Sequence, residues 1–116
     1  MTNGTDFFYL AVSLSKGSTP AELRTATSRA YYGAFHKAKE LIERCGIALP
    51  VGPECHVKLR YLLDQAGSPE VAAIGAQLWS LRNARNHADY DLSDVRPESR
   101  KTVVLYLKFA DESWRV

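Results

Sequence analysis

The chain has 116 residues and a mass of 12.9 kDa, the size of a single domain, which we expect to span residues 1–116. Apolar residue types make up 46% of it and charged types 24%, a globular composition that excludes disordered, collagen-like and low-complexity chains. The formal net charge is only +2. Bulk charge therefore does not attract nucleic acid, and such binding requires a local cluster of basic side chains.

The sequence carries no sign of export or of membrane insertion. No segment approaches the ~20 apolar residues of a membrane span, and the short apolar run at residues 7–14 lacks the positive start of a signal peptide. The two cysteines, Cys45 and Cys55, are too few for a disulfide framework and indicate free thiols, although one bond between them stays open. We therefore expect a soluble cytoplasmic protein without a membrane partner.

The first half of the chain predicts two helices. Apolar residues recur at helical spacing over residues 6–15. The next helix has a strong start, because Thr19 is a favoured N-cap, Pro20 takes the first helical position and Glu22 completes a capping box. This helix continues to about residue 45, and two adjacent apolar stripes on it indicate packing against two neighbours.

Three more helices are predicted in the second half. One covers residues 54–65, one begins at Pro69 and extends toward Leu92, and the last begins at Pro97 and ends near Trp114. Short connections with glycine and proline favour antiparallel neighbours, so the sequence predicts an all-α fold, an up-and-down bundle of four to five helices. On the third helix, three side chains are predicted to face the core: Val57, Tyr61 and Leu62.

Residues 81–91 hold the densest group of reactive side chains, with two arginines, one histidine, two asparagines, two aspartates and one tyrosine. On a helix, His87 lies one turn beyond Asn83 on the same side. Arg82 and His87 are five residues apart, so about 140° separates them. They form one compact site only if the helix end is distorted or a second copy of the chain contributes. Arg85 falls on the apolar face and interrupts it.

These residue types suit the cleavage of an RNA phosphodiester. A histidine transfers protons near neutral pH, and an arginine binds the charge that develops on the phosphate. This chemistry needs no metal ion. A structural alternative stays open, in which His87 stabilises the dipole at a helix C-terminus. In that alternative, Arg82, Arg85 and Asp89 form a row of surface ion pairs.

Two segments together resemble signatures of the HEPN superfamily. Residues 28–38 resemble its R-x-A-Y-Y-x-x-F-H-x-A signature, and residues 81–91 resemble its later R-N-x-x-x-x-A-D-Y-D signature. The likeness covers most of the chain. It implies a small HEPN-like bundle of helices that dimerises.

The resemblance also implies an activity. HEPN ribonucleases carry an arginine followed closely by a histidine, and Arg82 and His87, with four residues between them, fit this motif. The resemblance makes Arg82 and His87 the catalytic pair and Asn83 a polar helper, in a cleft shared by the two copies of a homodimer. It implies endoribonuclease cleavage of RNA without metal or cofactor, leaving a 2′,3′-cyclic phosphate. It further implies the toxin of a prokaryotic toxin–antitoxin or defence pair, with a nucleotidyltransferase antitoxin as a possible partner.

A non-catalytic interpretation stands beside this one. Many relatives with the A-D-Y-D ending lack the histidine and are regarded as modules that bind a nucleotidyltransferase partner or a nucleotide. Toxins paired with nucleotidyltransferases often carry a tyrosine two residues after the histidine. Here that position is Asp89, and Tyr90 follows it, which departs from the pattern for tyrosine modification. In the ribonuclease interpretation, Asp89 or Tyr90 positions the arginine or the substrate.

The long second helix carries further candidates that share one face by their spacing: Arg29, Tyr32, His36 and Lys39. They form either a wall of the RNA cleft that supports the catalytic pair, as Arg85 also would, or contacts between helices. The sequence leaves both interpretations open. No group of histidine, cysteine and acidic residues has the spacing of metal ligands, so no metal site is predicted.

Overall fold

The computed structural model of the protein describes residues 2–112, which form helices and no strand. The elements are α1 (Gly4–Ser15), α2 (Pro20–Arg44), α3 (Glu54–Asp64), α4 (Pro69–Tyr90), a short 3₁₀ helix (Arg96–Glu98) and α5 (Arg100–Glu112). The predicted all-α bundle is thereby confirmed. Both cysteines are free thiols. Within residues 2–112, no helix is long and apolar enough to cross a bilayer.

The helix starts follow the cap signals of the sequence. The Thr19 hydroxyl accepts a hydrogen bond of 3.2 Å from the Glu22 amide, and the Glu22 carboxylate accepts one of 3.2 Å from the Thr19 amide. α1 begins at Gly4 rather than at residue 6, because Asn3 and Asp6 form a second capping box ahead of the apolar stripe. Caps therefore locate these boundaries better than apolar spacing does.

Two predicted boundaries near the end of α4 are wrong. α4 ends at Tyr90, and Leu92 lies beyond it in an exposed turn. Pro97 lies in the 3₁₀ helix rather than at the start of α5, since Ser99 is extended (φ −93°, ψ 119°) and separates the two helices. The fixed φ of proline suits the first turn of either helix type, so proline alone does not distinguish them. The predicted end of α5 near Trp114 lies outside the described residues.

α2 lies at the centre of the bundle and contacts each of the other four α-helices. Its Tyr31 is almost fully buried against leucines of the neighbouring helices, among them Leu59 and Leu81. At the crossing of α1 and α2, glycine lets the backbones approach closely, because a Cβ on Gly4 would lie 2.7 Å from the carbonyl oxygen of Gly33. The central position of α2 lets its side chains reach both α1 and α4.

α3 docks with a different face from the predicted one. Leu59 and Leu63, one turn apart, are fully buried, whereas Val57 and Tyr61 are each more than half exposed. Leu62 is partly buried. The prediction was wrong for Val57 and Tyr61 because this short helix carries apolar residues on two sides. Spacing alone does not decide which side meets α4.

Candidate functional site

An open pocket of about 250 Å³ lies beside the C-terminal half of α4. Asn83 and His87 both line it, as their one-turn spacing predicts, and Arg82 is not among its lining residues. The other lining residues are Ser80, Ala84, Asp94, Arg96, Pro97 and Tyr106. Sequence reasoning missed Asp94 and Tyr106 as site residues because they reach the pocket from the turn after α4 and from α5.

Two carboxylates lie near the imidazole of His87, whose side chain is 47% exposed. Its Nδ1 lies 3.6 Å from Asp91 Oδ2 and 3.5 Å from Asp94 Oδ2. Arg96 binds Asp94 through Nε and Nη2 at 3.0 and 2.6 Å. These hydrogen bonds lower the pKa of Asp94 to about 2. Asp94 therefore stays ionised at neutral pH and places a negative charge beside the His87 ring.

The same three side chains are the residues in this part of the molecule that a metal ion would use. His87, Asp91 and Asp94 each offer one ligand atom, and these atoms all lie within 4.8 Å of one another. The sequence did not predict this grouping, since Asp94 reaches His87 only through the turn after α4. Arg96 already neutralises Asp94, so a cation competes with the guanidinium for that carboxylate.

Arg82 lies on another face of α4. The centre of its guanidinium is 4.9 Å from the ring centroid of Trp79, a cation–π contact. Its positive charge acts on Tyr31 of α2 and on His56 of α3. The angular separation that the sequence predicts for Arg82 and His87 is therefore retained. One chain does not bring the two predicted catalytic residues into one pocket.

A hydrogen-bonded pair lies beside Arg82: the hydroxyl of Tyr31 is bonded to Nδ1 of His56. Burial raises the pKa of the Tyr31 hydroxyl, so it stays neutral. Burial, followed by the charges of Arg82 and Arg85, lowers the pKa of His56. Sequence reasoning did not place His56 in a site, because a histidine at the start of a helix gives no sign of which neighbour it meets.

Arg85 lies between α4 and α2 among aromatic rings. Its side chain is only 11% exposed, and its guanidinium centre is 5.3 Å from the Tyr32 ring and 5.8 Å from the Tyr90 ring. Its Nη1 is 3.6 Å from Asp89 Oδ2, and that carboxylate accepts a hydrogen bond of 3.2 Å from Ser28 Oγ. The predicted supporting residues Tyr32, Arg85, Asp89 and Tyr90 therefore do meet, and none of them lines the His87 pocket.

Arg29 and His36 share the face of α2 that packs on α1. The Arg29 guanidinium is 5.0 Å from the Tyr32 ring and 5.4 Å from the Phe7 ring. The His36 ring stacks on Phe7, with centroids 5.3 Å apart and planes at 18°. Of the two interpretations that the sequence left open, these contacts favour packing between helices for His36, whereas Arg29 adjoins Tyr32 and hence Arg85.

Arg24 fixes the end of α4, and sequence reasoning missed it. Although charged, it is only 8% exposed. It forms an ion pair of 2.7 Å with Glu98 and donates hydrogen bonds to carbonyl oxygens at and beyond the end of α4, those of His87, Ala88, Asp91, Leu92 and Asp94. It thereby satisfies acceptors that a helix end leaves unpaired. Arginines are mostly exposed, and the one sequence signal was that Arg24 adjoins the apolar stripe.

The functional side chains thus divide between two sides of α4. The His87 pocket contains Asn83 and His87, and the arginine face consists of Arg82 and Arg85 with the rings around them, Tyr31, Tyr32, His56 and Trp79. No family model, curated protein or solved structure matches the chain.

Burial of His36 and His56 predicts a pH-dependent stability. Burial lowers the pKa of both rings from the ordinary 6.5, so the folded chain binds their protons less readily than the unfolded chain does. The free energy of unfolding is therefore expected to be highest above pH 6.5 and to fall as the pH drops below it. Urea denaturation at about pH 7.5 and about pH 5.5, above the range in which carboxylates titrate, measures this fall.

The variants His36→Gln and His56→Gln identify the source of this dependence. Each removes one titrating ring, so each is expected to show a smaller difference between the two pH values than the wild type. A difference that is unchanged in both variants would show that other groups cause it.

Proposed function

We propose that the protein is a metal-independent endoribonuclease that acts as a homodimer, with Arg82 of one copy and His87 of the other completing one active site. One observation carries the proposal: Arg82 and His87 lie on different faces of α4, His87 beside two carboxylates in an open pocket and Arg82 over an aromatic ring. In a homodimer, the second copy places its His87 beside Arg82 of the first copy, and its Arg82 beside His87 of the first copy.

In the proposed reaction, His87 transfers the protons. Its Nδ1 faces the carboxylates of Asp91 and Asp94, which leaves Nε2 to accept the proton of the 2′-hydroxyl. The 2′-oxygen then attacks the adjacent phosphorus, and Arg82 binds the charge that develops on the phosphoryl oxygens. The protonated ring returns the proton to the departing 5′-oxygen. The products are a 2′,3′-cyclic phosphate and a 5′-hydroxyl, and Asn83 orients the substrate from the same pocket.

The proposed biological role follows from the resemblance of residues 28–38 and 81–91 to HEPN signatures. In this role the protein is the toxin of a prokaryotic toxin–antitoxin or defence pair that acts in the cytoplasm. A nucleotidyltransferase antitoxin is the proposed partner. Co-purification of the chain with such a partner, and loss of RNA cleavage in the complex, are the results that this role requires.

Cleavage of a mixed RNA pool in the presence of EDTA tests the activity. We expect the wild type to produce fragments with 2′,3′-cyclic phosphate ends, and we expect Arg82→Ala and His87→Ala each to slow cleavage by about 100-fold or more. Arg44→Ala is the matched control, because Arg44 is an exposed arginine at the C-terminal end of α2. This variant should cleave RNA at the wild-type rate.

Two results would count against this mechanism. Equal cleavage by His87→Ala and the wild type would exclude His87 as the proton-transfer group. Cleavage that EDTA abolishes would instead implicate a metal ion, for which His87, Asp91 and Asp94 offer ligand atoms.

A second candidate function is a non-catalytic module that binds a protein partner such as a nucleotidyltransferase, or a nucleotide. It is favoured by the apolar side chains around the end of α4, since Tyr90, Leu92 and Val95 are each about 70% exposed or more. A folded protein that cleaves no RNA but loses partner binding on Leu92→Asp would support this function over the first.

A further inference from the structure

The His87 pocket contains polar groups that neither the fold nor the proposed proton transfer uses. Within residues 2–112, the side-chain amide of Asn83 and the hydroxyls of Ser80 and Tyr106 form no hydrogen bond with the protein. All three side chains line the pocket. Their donors and acceptors are therefore free to bond a ligand that enters it.

The pocket has the size and the lining of a site for one flat ring system. Its volume is about 250 Å³. That is just below the range of about 300–1,000 Å³ for sites that bind drug-sized ligands. Tyr106 of α5 is partly exposed and contributes an aromatic ring, and Ala84 and Pro97 contribute apolar surface. Unpaired RNA bases bind in such surroundings, stacked on an aromatic side chain and hydrogen-bonded along one edge.

The charges of the pocket favour a neutral base over a phosphate group. Arg96 lines the pocket, but its Nε and Nη2 atoms already bond Asp94 at 3.0 and 2.6 Å. Asp94 also places a negative charge 3.5 Å from Nδ1 of His87. Among the described residues, the lining therefore offers no uncommitted guanidinium or ammonium group, the groups that most often bind phosphate.

Among the four RNA bases, adenine best matches the amide of Asn83. Adenine presents a donor, N6–H, next to an acceptor, N7, and an asparagine amide bonds both at once. Guanine presents two acceptors at the same edge, which suit a free arginine or lysine, and Arg96 is already bonded to Asp94. Cytosine and uracil have one ring rather than two to stack on Tyr106.

The position of Asn83 also relates the base to the reacting atoms. Asn83 and His87 lie one turn apart on the same side of α4, a spacing that puts their Cβ atoms about 5–6 Å apart. A nucleotide whose base bonds Asn83 therefore has its own ribose beside the imidazole. Its 2′-hydroxyl is then the one that His87 deprotonates.

We propose that the His87 pocket binds an unpaired adenine and that the cleaved bond lies on the 3′ side of that nucleotide. Asn83 bonds the edge of the base and Tyr106 stacks on its ring, so both residues determine specificity. The substrate is single-stranded RNA, because a base inside a duplex does not reach a pocket. This inference rests on the proposed ribonuclease function and adds a base-specific subsite to it.

Four oligonucleotides that each contain one ribonucleotide in an otherwise deoxy chain test the preference. Each has a single 2′-hydroxyl that can attack, so the base beside it is the one variable. We expect the wild type to cleave after riboadenosine with a kcat/KM about tenfold or more above that for the other three ribonucleotides. Annealing of a complementary strand is expected to suppress this cleavage.

Two variants identify the residues that produce the preference. Asn83→Ala is expected to bring the ratio of adenine to guanine cleavage close to one, and Tyr106→Leu is expected to lower the ratio of adenine to uracil cleavage about threefold or more. These ratios report base recognition, because a purely structural defect lowers all four rates together. The controls are Gln65→Ala and Tyr9→Leu, which alter an exposed amide of the α3 end and an exposed ring of α1 and should keep both ratios.

Binding of free adenosine gives a readout that needs no cleavage. In NMR spectra of the wild-type chain, the side-chain amide signals of Asn83 and the ring signals of Tyr106 should shift and saturate as adenosine is added. Guanosine and uridine at the same concentration should shift them much less. The amide signals of Gln65 and the ring signals of Tyr9 are the internal controls and should not move.

Equal cleavage after all four ribonucleotides, or Asn83 and Tyr106 signals that adenosine leaves unchanged, would overturn the base pocket. A preference for another base would overturn the assignment of adenine. These failures are distinguishable from failure of the proposed function. Adenosine binding without any RNA cleavage would keep the pocket and end the ribonuclease, and cleavage without base preference would do the opposite.

Discussion

An equal mixture of Arg82→Ala and His87→Ala chains is expected to cleave RNA at about a quarter of the wild-type rate, although each variant alone is slowed by about 100-fold or more. Random exchange of subunits makes about half of the dimers mixed. In each mixed dimer, one site combines the intact Arg82 of one copy with the intact His87 of the other, and the second site lacks both. The reason for this expectation is that α4 presents Arg82 and His87 on different faces.

Differently tagged chains allow the mixed dimer to be purified and assayed by itself, and it should then reach about half of the wild-type rate. A mixture of Arg82→Ala with the double variant Arg82→Ala/His87→Ala is the control and should stay inactive, since no intact Arg82 is present. If a pure mixed dimer of the single variants is also inactive, Arg82 and His87 of the same copy act together and the shared site is wrong.

Removal of the Arg24 guanidinium is expected to destabilise the fold strongly, because this charged side chain is only 8% exposed and bonds several groups at the end of α4. In Arg24→Ala, Glu98 and the carbonyl oxygens at the end of α4 lose their donor while they remain partly or fully covered. The Arg24 and Glu98 side chains are 10% and 30% exposed, and breaking a largely covered, hydrogen-bonded ion pair of this kind costs up to about 3–5 kcal/mol of the free energy of unfolding.

Urea denaturation of Arg24→Ala and Arg44→Ala measures this cost against a matched control. Arg44 also pairs with a glutamate, but its side chain is 74% exposed, so its loss should change the free energy of unfolding by about 1 kcal/mol or less. Arg24→Lys should be intermediate, because an ammonium group reaches Glu98 without the fork that spans several carbonyls. Equal losses in Arg24→Ala and Arg44→Ala would contradict the role assigned to Arg24.

Local chemistry made much of the fold predictable. The start of α2 is encoded within a few residues of sequence by Thr19, Pro20 and Glu22. In the structure the helix begins at that place. The packing face of α3 was not predictable in the same way. Leu59 and Leu63 are buried only because α4 lies against them, which is a property of the assembled bundle and not of residues 54–65.

The candidate site likewise has a part that the sequence predicts and a part that it does not. The one-turn relation of Asn83 and His87 and the separation of Arg82 from them are geometric properties of one helix, and the structure retains both. Asp94 beside His87, and His56 beside Arg82, depend on how the chain returns after a turn. Sequence spacing contains no information on such contacts between elements.

The bonds of Arg24 have a consequence for how the molecule opens. One guanidinium is bonded to the last turn of α4, to the turn that follows and to the 3₁₀ helix. Because these bonds share one donor group, breaking one of them releases little of the chain as long as the others remain. Residues 87–98 are therefore expected to exchange their amide hydrogens as one cooperative unit rather than fraying from Tyr90 onward. His87 and Asp94 both belong to that unit, so opening of the unit separates the imidazole from the Asp94 carboxylate. The fraction of molecules in which His87 has this carboxylate beside it is therefore expected to equal the fraction in which the unit is closed.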